Sequence, residues 1–446
     1  MRIFKFGGAS VKDADAVRNV AKIIKEYGTT TNTLVIVSAM GKTTNALEVL
    51  LEQFLDKENE TNNYLNTLNN LKNYHLEIIK NLFSEQKTQR NLAFTTLDYL
   101  FLQLKDTLEN KINIQNYDEA YDQIISFGEV ISTHIISLYL NEENINNEWI
   151  DAKNFIKTDN TWREGKVDLV WTENLVLREL VPVLAQKIVI TQGFLGGTLG
   201  NKTTTLGREG SDFSAAIFAY CLNSQFVDVS VTIWKDVPGI LNADPKIIKN
   251  TQMYDTLSYR EAAEMTFYGA NVIHPKTIKP LENRQIPLYV KSFLNPKNAG
   301  TCIKNIDTQT INNQGISNKI PTIIFKPNQA LVSFAVKDLT FITEENLGLI
   351  LNAFTQFNVK INLMQSTAVS FSVCTENNAR KLSKLNDLLA NEFEIKVQEN
   401  LKLVTILHHN AEIINEIMQE KTIFLKQETP QTYSAVVLVA HNSKGE

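Results

Sequence analysis

Residues 191–216, TQGFLGGTLGNKTTTLGREGSDFSAA, decide how the rest of the chain is read. They follow the apolar run VPVLAQKIVI, whose β-branched residues predict a buried strand ending at Gly193. Gly196, Gly197, Gly200, Gly207 and Gly210 let the backbone approach a ligand closely. Ser211 and Asp212 suit the N-cap and first turn of a helix over DFSAAIFAYCL. A glycine-rich loop ending at a helix N-terminus offers free N–H groups and the positive end of the helix dipole, so it favours an anion. The same residues add one fork-shaped cation, Arg208, and one carboxylate, Asp212. A glycine-rich surface turn that happens to carry charges is the alternative, and the rest of the chain weighs against it.

The N-terminus, MRIFKFGGAS, reads as a short strand running into a glycine turn, with Lys5 beside Gly7 and Gly8 and the helical VKDADAVRNVAKIIKEY following. Strand, glycines, helix start and lysine together make a phosphate cradle in the general sense. A second strand, NTLVIVSAM, leads into GKTTNALEVLLEQFL. There Gly41-Lys42-Thr43 imitates the end of a P-loop, but the leading glycine of that motif would fall on Ile36, so Lys42 reads as a loop charge. From about residue 46 to 140 apolar positions recur every three or four residues, which predicts a helical insert acting mostly as scaffold. Its exception is YDQIISFGEVISTHIISLYL, where Gly128 and Glu129 interrupt a strongly apolar helix. A carboxylate there needs a cation or a solvated pocket, unless it lies on an exposed helix face.

Composition narrows the possibilities. A chain of 446 residues fits about two to four domains. With 21% charged and 43% hydrophobic residues it can bury ordinary cores. The net charge of −5, without a block of basic residues, argues against nucleic acid as a partner. The three cysteines, Cys221, Cys302 and Cys374, are far apart and fit a reducing cytoplasm. No apolar run approaches the ~20 residues of a membrane span, and the N-terminus lacks a signal-peptide core, so a cytoplasmic protein with no membrane partner is expected. The six histidines show no HExxH or other ligand spacing, so no metal held by the protein itself is expected.

Beyond the central stretch, FVDVSVTIWKDVPGILNADPK alternates as a strand should, then meets two turn signals with Lys235, Asp236 and Lys246 around them. REAAEMTFYGANVIHPKTIKPLENRQIPLYVKSF reads as helix, loop, helix, strand. Strands alternating with helices to residue 305 predict an α/β domain, a parallel-dominated sheet between helical layers. The polar NIDTQTINNQG is a candidate linker. Residues 315–446 then read as short repeated units: a βαββαβ unit at about 328–399, and a second at about 400–446 that stops before its last helix.

In order along the chain, KFGGAS, VSAMGKTTNAL, ISFGEVIST, TQGFLGG, TLGREGSD, VTIWKDVPGILNADPK and YGANVIHPKT resemble the signature blocks of aspartate kinases, in the amino acid kinase superfamily. The repeated C-terminal units resemble their ACT domains, and the chain is similar to the monofunctional form. The resemblance implies an α/β/α sandwich over residues 1–305 followed by α+β ACT-like regulatory domains. It also implies transfer of the γ-phosphoryl group of ATP, with Mg²⁺, to the side-chain carboxylate of L-aspartate, a first step towards lysine, threonine and methionine. That carboxylate, with a reference pKa near ~3.9, is already ionised and needs no general base. Positioning and charge neutralisation would then carry the reaction.

By resemblance, Lys5 contacts the phosphates and Asp212 orients it, while Gly7 and Gly8 supply amides. Arg208 clamps the α-carboxylate of aspartate, Glu129 takes its ammonium, and Thr44 and Ser211 bond the substrate. Lys235, Asp236, Leu241 and Lys246 match positions lining the nucleotide site. Three residues depart from the family's pattern: Ala9 replaces a threonine, Lys235 replaces a threonine, and Asn271 stands where a lysine is common. Lys235 or Lys276 are the candidates to compensate for Asn271. The resemblance further implies a homodimer or larger homo-oligomer with an amino-acid effector, lysine first, bound around residues 337–347 and the strand VKINLM. At Asn362 many lysine-inhibited relatives carry an aspartate, and Lys360 lies nearby. The alternatives are another phosphotransferase of the superfamily, acting on glutamate, acetylglutamate or carbamate, or a non-catalytic amino-acid-sensing homologue.

Overall fold

The computed structural model describes residues 1–56, 63–85, 88–270, 273–306, 320–337 and 340–438. Most of the polar linker candidate, and Asn271, lie outside the described residues. The chain divides into two compact units. The first comprises Met1–Ile240, Met253–Ala263 and Ile273–Ile306; the second comprises Leu241–Gln252, Glu264–Val272 and Asp307–Glu446.

The first unit begins β1 (Arg2–Phe6), α1 (Ala14–Tyr27), β2 (Thr33–Val37). The helical insert follows as α2 (Thr43–Leu55), α3 (Asn63–Leu82), α4 (Thr88–Asp106), α5 (Tyr117–Ile125) and α6 (Phe127–Glu142). Next come β3 (Asn147–Ile150), α7 (Ala152–Phe155), α8 (Leu169–Leu175), α9 (Val181–Leu184) and β4 (Ile188–Gln192). A small hairpin, β5 (Leu195–Gly197) and β6 (Thr203–Thr205), precedes α10 (Gly210–Leu222) and β7 (Ser230–Lys235). β8 (Thr256–Ser258), α11 (Tyr259–Tyr268), α12 (Pro275–Asn283), β9 (Leu288–Ser292) and β10 (Thr301–Lys304) complete the series. Only the first part of α11 belongs to this unit.

Eight of these strands form one sheet in the order β3-β4-β2-β1-β7-β9-β10-β8. Every neighbouring pair is parallel except β9 with β10. The apolar runs explain the central place of β2 and β4, all of whose residues are buried, as strands covered on both faces require. The strand period of two sends Phe4 and Phe6 of β1 into the core shared with α1 and the insert, and Lys5 to the opposite face. Helices cover both faces, giving three layers.

Local signals mislead in three places. The run VPVLAQKIVI contains one short helix, α9, before its strand, because Pro182 fits the first turn of a helix. β7 does not alternate; four consecutive residues are buried because it lies mid-sheet. The α5–α6 pair, Tyr117–Glu142, is long and apolar enough by composition to cross a bilayer, yet 72% of its apolar window is buried inside the unit, as a core helix would be.

The second unit carries β11 (Thr322–Val336), β12 (Ile361–Ser366), β13 (Ser370–Glu376), β14 (Phe393–Leu407), β15 (Thr422–Glu428) and β16 (Thr432–Leu438). These make one antiparallel sheet, ordered β12-β13-β11-β14-β16-β15, with helices Glu344–Gln356, Ala379–Leu389 and Ala411–Met418. The fold is the expected ACT-like α+β type, but its division differs from two successive units at 328–399 and 400–446. β11 and β14 each run 15 residues through both halves. Thr322–Lys326, upstream of the first expected unit, pairs with Leu403–Leu407 of the second. The upstream segment therefore closes an edge that residues 400–446 alone would leave open. One core gathers around Phe334, Phe354 and Phe393, the other around Ile323, Val404, Ile417 and Tyr433 with Ala243.

Asn362, on β12, has both ends of its amide engaged: its oxygen accepts from Lys326 Nζ (2.7 Å) and its nitrogen donates to Gln329 Oε1 (2.7 Å). Lys360 Nζ lies 5.3 Å from the ring centre of Phe267. Residues 338–339 of the expected effector loop lie outside the described residues.

Phe334 is fully buried and meets Phe354 and Phe393 edge-on, each at 6.1 Å. Phe334→Ala should therefore cost about 3–5 kcal/mol. In urea, followed by probes specific to each unit, only the transition of the C-terminal unit should move to lower denaturant; an unchanged transition would show that this cluster is not its core.

Candidate active site

The carboxyl ends of the parallel strands β4, β2, β1 and β7 lie side by side and run into Gly193, Ser38, Gly7 and Asp236. In open α/β sheets this edge is where ligands bind. Lys5 Nζ stands 2.6 Å from Asp212 Oδ1, with the two side chains only 13% and 4% exposed. The pair joins β1 to the first turn of α10. That helix starts at Glu209, whose φ of 54° lies in the left-handed region and whose side chain makes no cap bond. Its carboxylate instead accepts from His274 N at 2.8 Å. Ser211 is thus not the N-cap; it is the second residue of the helix, and Ser38 Oγ donates to its hydroxyl at 3.0 Å. A Cβ on Gly193 would fall 2.4 Å from Ser211 Cβ, so glycine there lets α10 sit against the end of β4.

Glu129, at the start of α6, is buried. Its Oε1 accepts from Ala39 N at 3.3 Å, and its Oε2 has no hydrogen-bond partner. Burial pushes its pKa up to about 8, against smaller opposing effects of the Ala39 amide and the Lys5 ammonium. The sequence left an exposed face or a pocket open for this residue; it is in the interior.

Gly8 opens a single 3₁₀ turn, Gly8–Val11, in which Ser10 donates from N and Oγ to Gly7 O at 3.0 and 2.6 Å. A Cβ on Gly8 would meet Ala39 O at 2.8 Å, and Gly41 N donates to Gly8 O at 3.1 Å, so the loops after β1 and β2 are in contact. Thr44 sits half-buried in the first turn of α2, next to Thr43, whose hydroxyl donates to Met40 O at 2.7 Å. Two residues that sequence reasoning assigned to scaffold brace these loops. Tyr74 donates to Lys12 O at 2.5 Å, and fully buried His75 lies 3.4 Å from Thr43 Oγ1. Burial lowers the His75 pKa to about 4, so the ring is neutral. A histidine on an apolar helix face gave no signal of this.

Arg208 is exposed and makes no ion pair among the described residues. It lines a cavity of about 280 Å³ with Phe194 and Thr205. Asp122, also missed by sequence reasoning, organises this region. Its carboxylate accepts from Thr205 N (3.0 Å), Thr205 Oγ1 (2.7 Å) and Arg163 N (2.9 Å), and burial raises its pKa. Lys235 ends β7, half-buried, and Asp236 after it is exposed. Leu241 and Lys246 belong to the second unit. Lys276 Nζ is 3.5 Å from Glu164 Oε1, and Ala9 is exposed.

A sequence model described as the amino acid kinase family matches residues 1–292. The chain belongs to the amino acid kinase family. It is similar to lysine-sensitive aspartokinase 3 of Escherichia coli (strain K12), with 31% identity over 303 residues, 68% of this chain and 64% of that one. It is also similar to the bifunctional aspartokinase/homoserine dehydrogenase of Buchnera aphidicola subsp. Acyrthosiphon pisum (strain APS), 28% identical over 422 residues, 92% of this chain and 50% of that one. The chain thus matches about half to just under two-thirds of the length of these curated relatives. Among solved structures, E. coli aspartokinase III in complex with lysine and aspartate aligns over 98% of this chain and 96% of that one, at TM-score 0.76 and 25% identity. Aspartate kinase from Clostridium acetobutylicum shares the fold at TM-score 0.74 and 22% identity. The family resemblance read from the sequence blocks is borne out.

A buried acid with a raised pKa fixes a sign. Between about 4.5 and about 8 the folded chain keeps the Glu129 proton that the unfolded chain has lost, so stability falls as pH rises through this window. Glu129→Gln should remove that slope and stabilise the ligand-free protein near pH 8 on the order of a few kcal/mol. Chemical denaturation at several pH values checks this; identical slopes in both proteins would place Glu129 in contact with water.

Proposed function

We propose that this protein is an aspartate kinase, transferring the γ-phosphoryl group of ATP to the side-chain carboxylate of L-aspartate to give 4-phospho-L-aspartate and ADP. The observation that carries this is Glu129, a buried carboxylate with one oxygen unpartnered, within electrostatic reach of Lys5. Such an oxygen suits the α-ammonium of an amino acid, which supplies both the missing charge and the missing donor. The E. coli relative with lysine and aspartate in its structure supports the same substrate.

In this reading Arg208 holds the α-carboxylate through its planar fork, and Ser211 and Thr44 bond the substrate. The side-chain carboxylate oxygen attacks the γ-phosphorus, the bond to the β,γ-bridging oxygen breaks, and ADP leaves with the electron pair. No proton moves at the attacking group. Lys5 neutralises the phosphoryl oxygens from a position fixed by Asp212, and the loop at Gly7 and Gly8 brings backbone amides to the phosphates. Lys235, ending the neighbouring strand, and Asp236 after it line the nucleotide's path. Among the described residues no group of three or more His, Cys, Asp or Glu side chains is placed to hold a metal ion. Mg²⁺ would be carried by the nucleotide's phosphate oxygens and water, where it would supply charge neutralisation.

The C-terminal unit would take an amino-acid effector and support a homo-oligomer. Asn362 is engaged by Lys326 and Gln329, so an effector ammonium must displace Lys326 to reach it. Inhibition by lysine at sub-saturating aspartate should be weak, and Lys326→Met should strengthen it; tight inhibition of the wild type would contradict this reading of Asn362.

Hydroxylamine trapping of the acyl phosphate, with aspartate and ATP·Mg²⁺, tests the activity. Product should form with aspartate and not with glutamate. Lys5→Ala and Asp212→Ala should each lose about 10²–10³ in kcat with the fold retained by circular dichroism. Aspartate-independent ATP turnover, or none, would overturn the proposal.

A further inference from the structure

The cavity beside Arg208 is lined by a second arginine, Arg163. Arg163 lies on the loop between α7 and α8, far from the glycine-rich stretch in sequence, and none of the assigned roles includes it. Three observations bear on its place. Its backbone has φ 64°, a left-handed conformation that a long side chain adopts at a cost and that tertiary contacts must hold. Those contacts come from Asp122, which accepts from Arg163 N and from both Thr205 N and Thr205 Oγ1. One buried carboxylate thus ties the loop carrying Arg163 to the strand that leads directly into Arg208.

The Arg163 guanidinium is also positioned without being consumed. Its central carbon stands 4.2 Å from the centre of the Tyr121 ring, a wall of the same cavity. Its only carboxylate contact among the described residues is Asp118 at 3.5 Å, with the two side chains 43% and 56% exposed. A solvent-exposed pair this long is weak and easily exchanged for a ligand's carboxylate. Glu164, the carboxylate on the cavity wall, lies 3.5 Å from Lys276. The cavity is lined by two arginines, Arg163 and Arg208.

We infer that Arg163 is a second guanidinium for the α-carboxylate of the substrate, acting with Arg208 as a specificity-determining residue. The inference rests on the aspartate kinase reading and deepens it. Two forks facing one carboxylate demand acceptors on both of its oxygens. An α-amide offers one acceptor and an NH₂ that would face N–H donors, leaving them unpaired, and sites built in this way reject such analogues strongly. On binding, Arg163 exchanges Asp118 for the substrate.

The test is steady-state kinetics by hydroxylamine trapping with L-aspartate and its α-amide, using wild type, Arg163→Asn, Arg163→Lys and Asp118→Asn. Asparagine tolerates the left-handed backbone at this position, so the variant does not add strain. Arg163→Asn should raise the KM for aspartate about tenfold or more and reduce the preference for aspartate over its α-amide by a similar factor. Its KM for ATP should stay within about twofold. Arg163→Lys should recover part of the KM but little of the preference, since it lacks the fork. Asp118→Asn, which releases Arg163, should lower the KM for aspartate. An active wild type with unchanged KM and preference in Arg163→Asn overturns this inference alone, as does an equal rise in both Michaelis constants. A wild type inactive with aspartate overturns the kinase reading and this inference together.

Discussion

Lys5 and Asp212 form an ion pair 2.6 Å long that is almost closed to solvent, and the geometry of the strand-end region depends on it. Taking two charges out of water is costly, and a buried pair rarely stabilises a fold more than apolar residues of the same size would. Its consequence is positional. It ties the central strand to the first turn of α10, and α10 in turn sets where Ser211 and the loop carrying Arg208 stand. Glu129 is a third buried titratable group, mostly protonated at neutral pH while the site is empty, within reach of Lys5 but not paired with it. The arrangement holds one carboxylate paired with a cation and another without one, which suits a site whose ligand brings its own cation.

The scaffold explains how that arrangement is maintained. Parallel strands place four loops at one edge, and the contacts at Gly193 and Gly8 let those loops and α10 approach more closely than any Cβ would allow. Tyr74 and His75 brace the same loops from the helical insert, and Asp122 braces the two arginine-bearing segments. The insert therefore contributes to the site through positioning, although nothing in its composition distinguishes it from ordinary helical packing.

Much of this was readable in the sequence, and the division between what was and was not has a physical basis. The strand–glycine–helix pattern at Lys5 and the glycine-rich approach to Asp212 are local, so period and turn chemistry located both. The α/β alternation likewise announced a parallel-dominated sheet. What escaped depends on distant pairing. Ser211 looked like an N-cap, yet Glu209 holds that place in a left-handed conformation supported by His274, 65 residues away. Glu129 could have faced water or core, since its helix is apolar all round. The C-terminal repeats read as successive units, but strand pairing between Thr322–Lys326 and Leu403–Leu407 crosses that boundary. A periodicity records which residues are buried and not which strand buries them.

The most direct test of the central claim is the proton released when aspartate binds, measured by calorimetry at pH 7 in buffers of different ionisation enthalpy. Glu129, with a pKa of about 8 when the site is empty, must give up its proton to pair with the substrate's ammonium. The account predicts release of close to ~1 proton per aspartate bound, and none in Glu129→Gln. Binding by the wild type without proton release would contradict it.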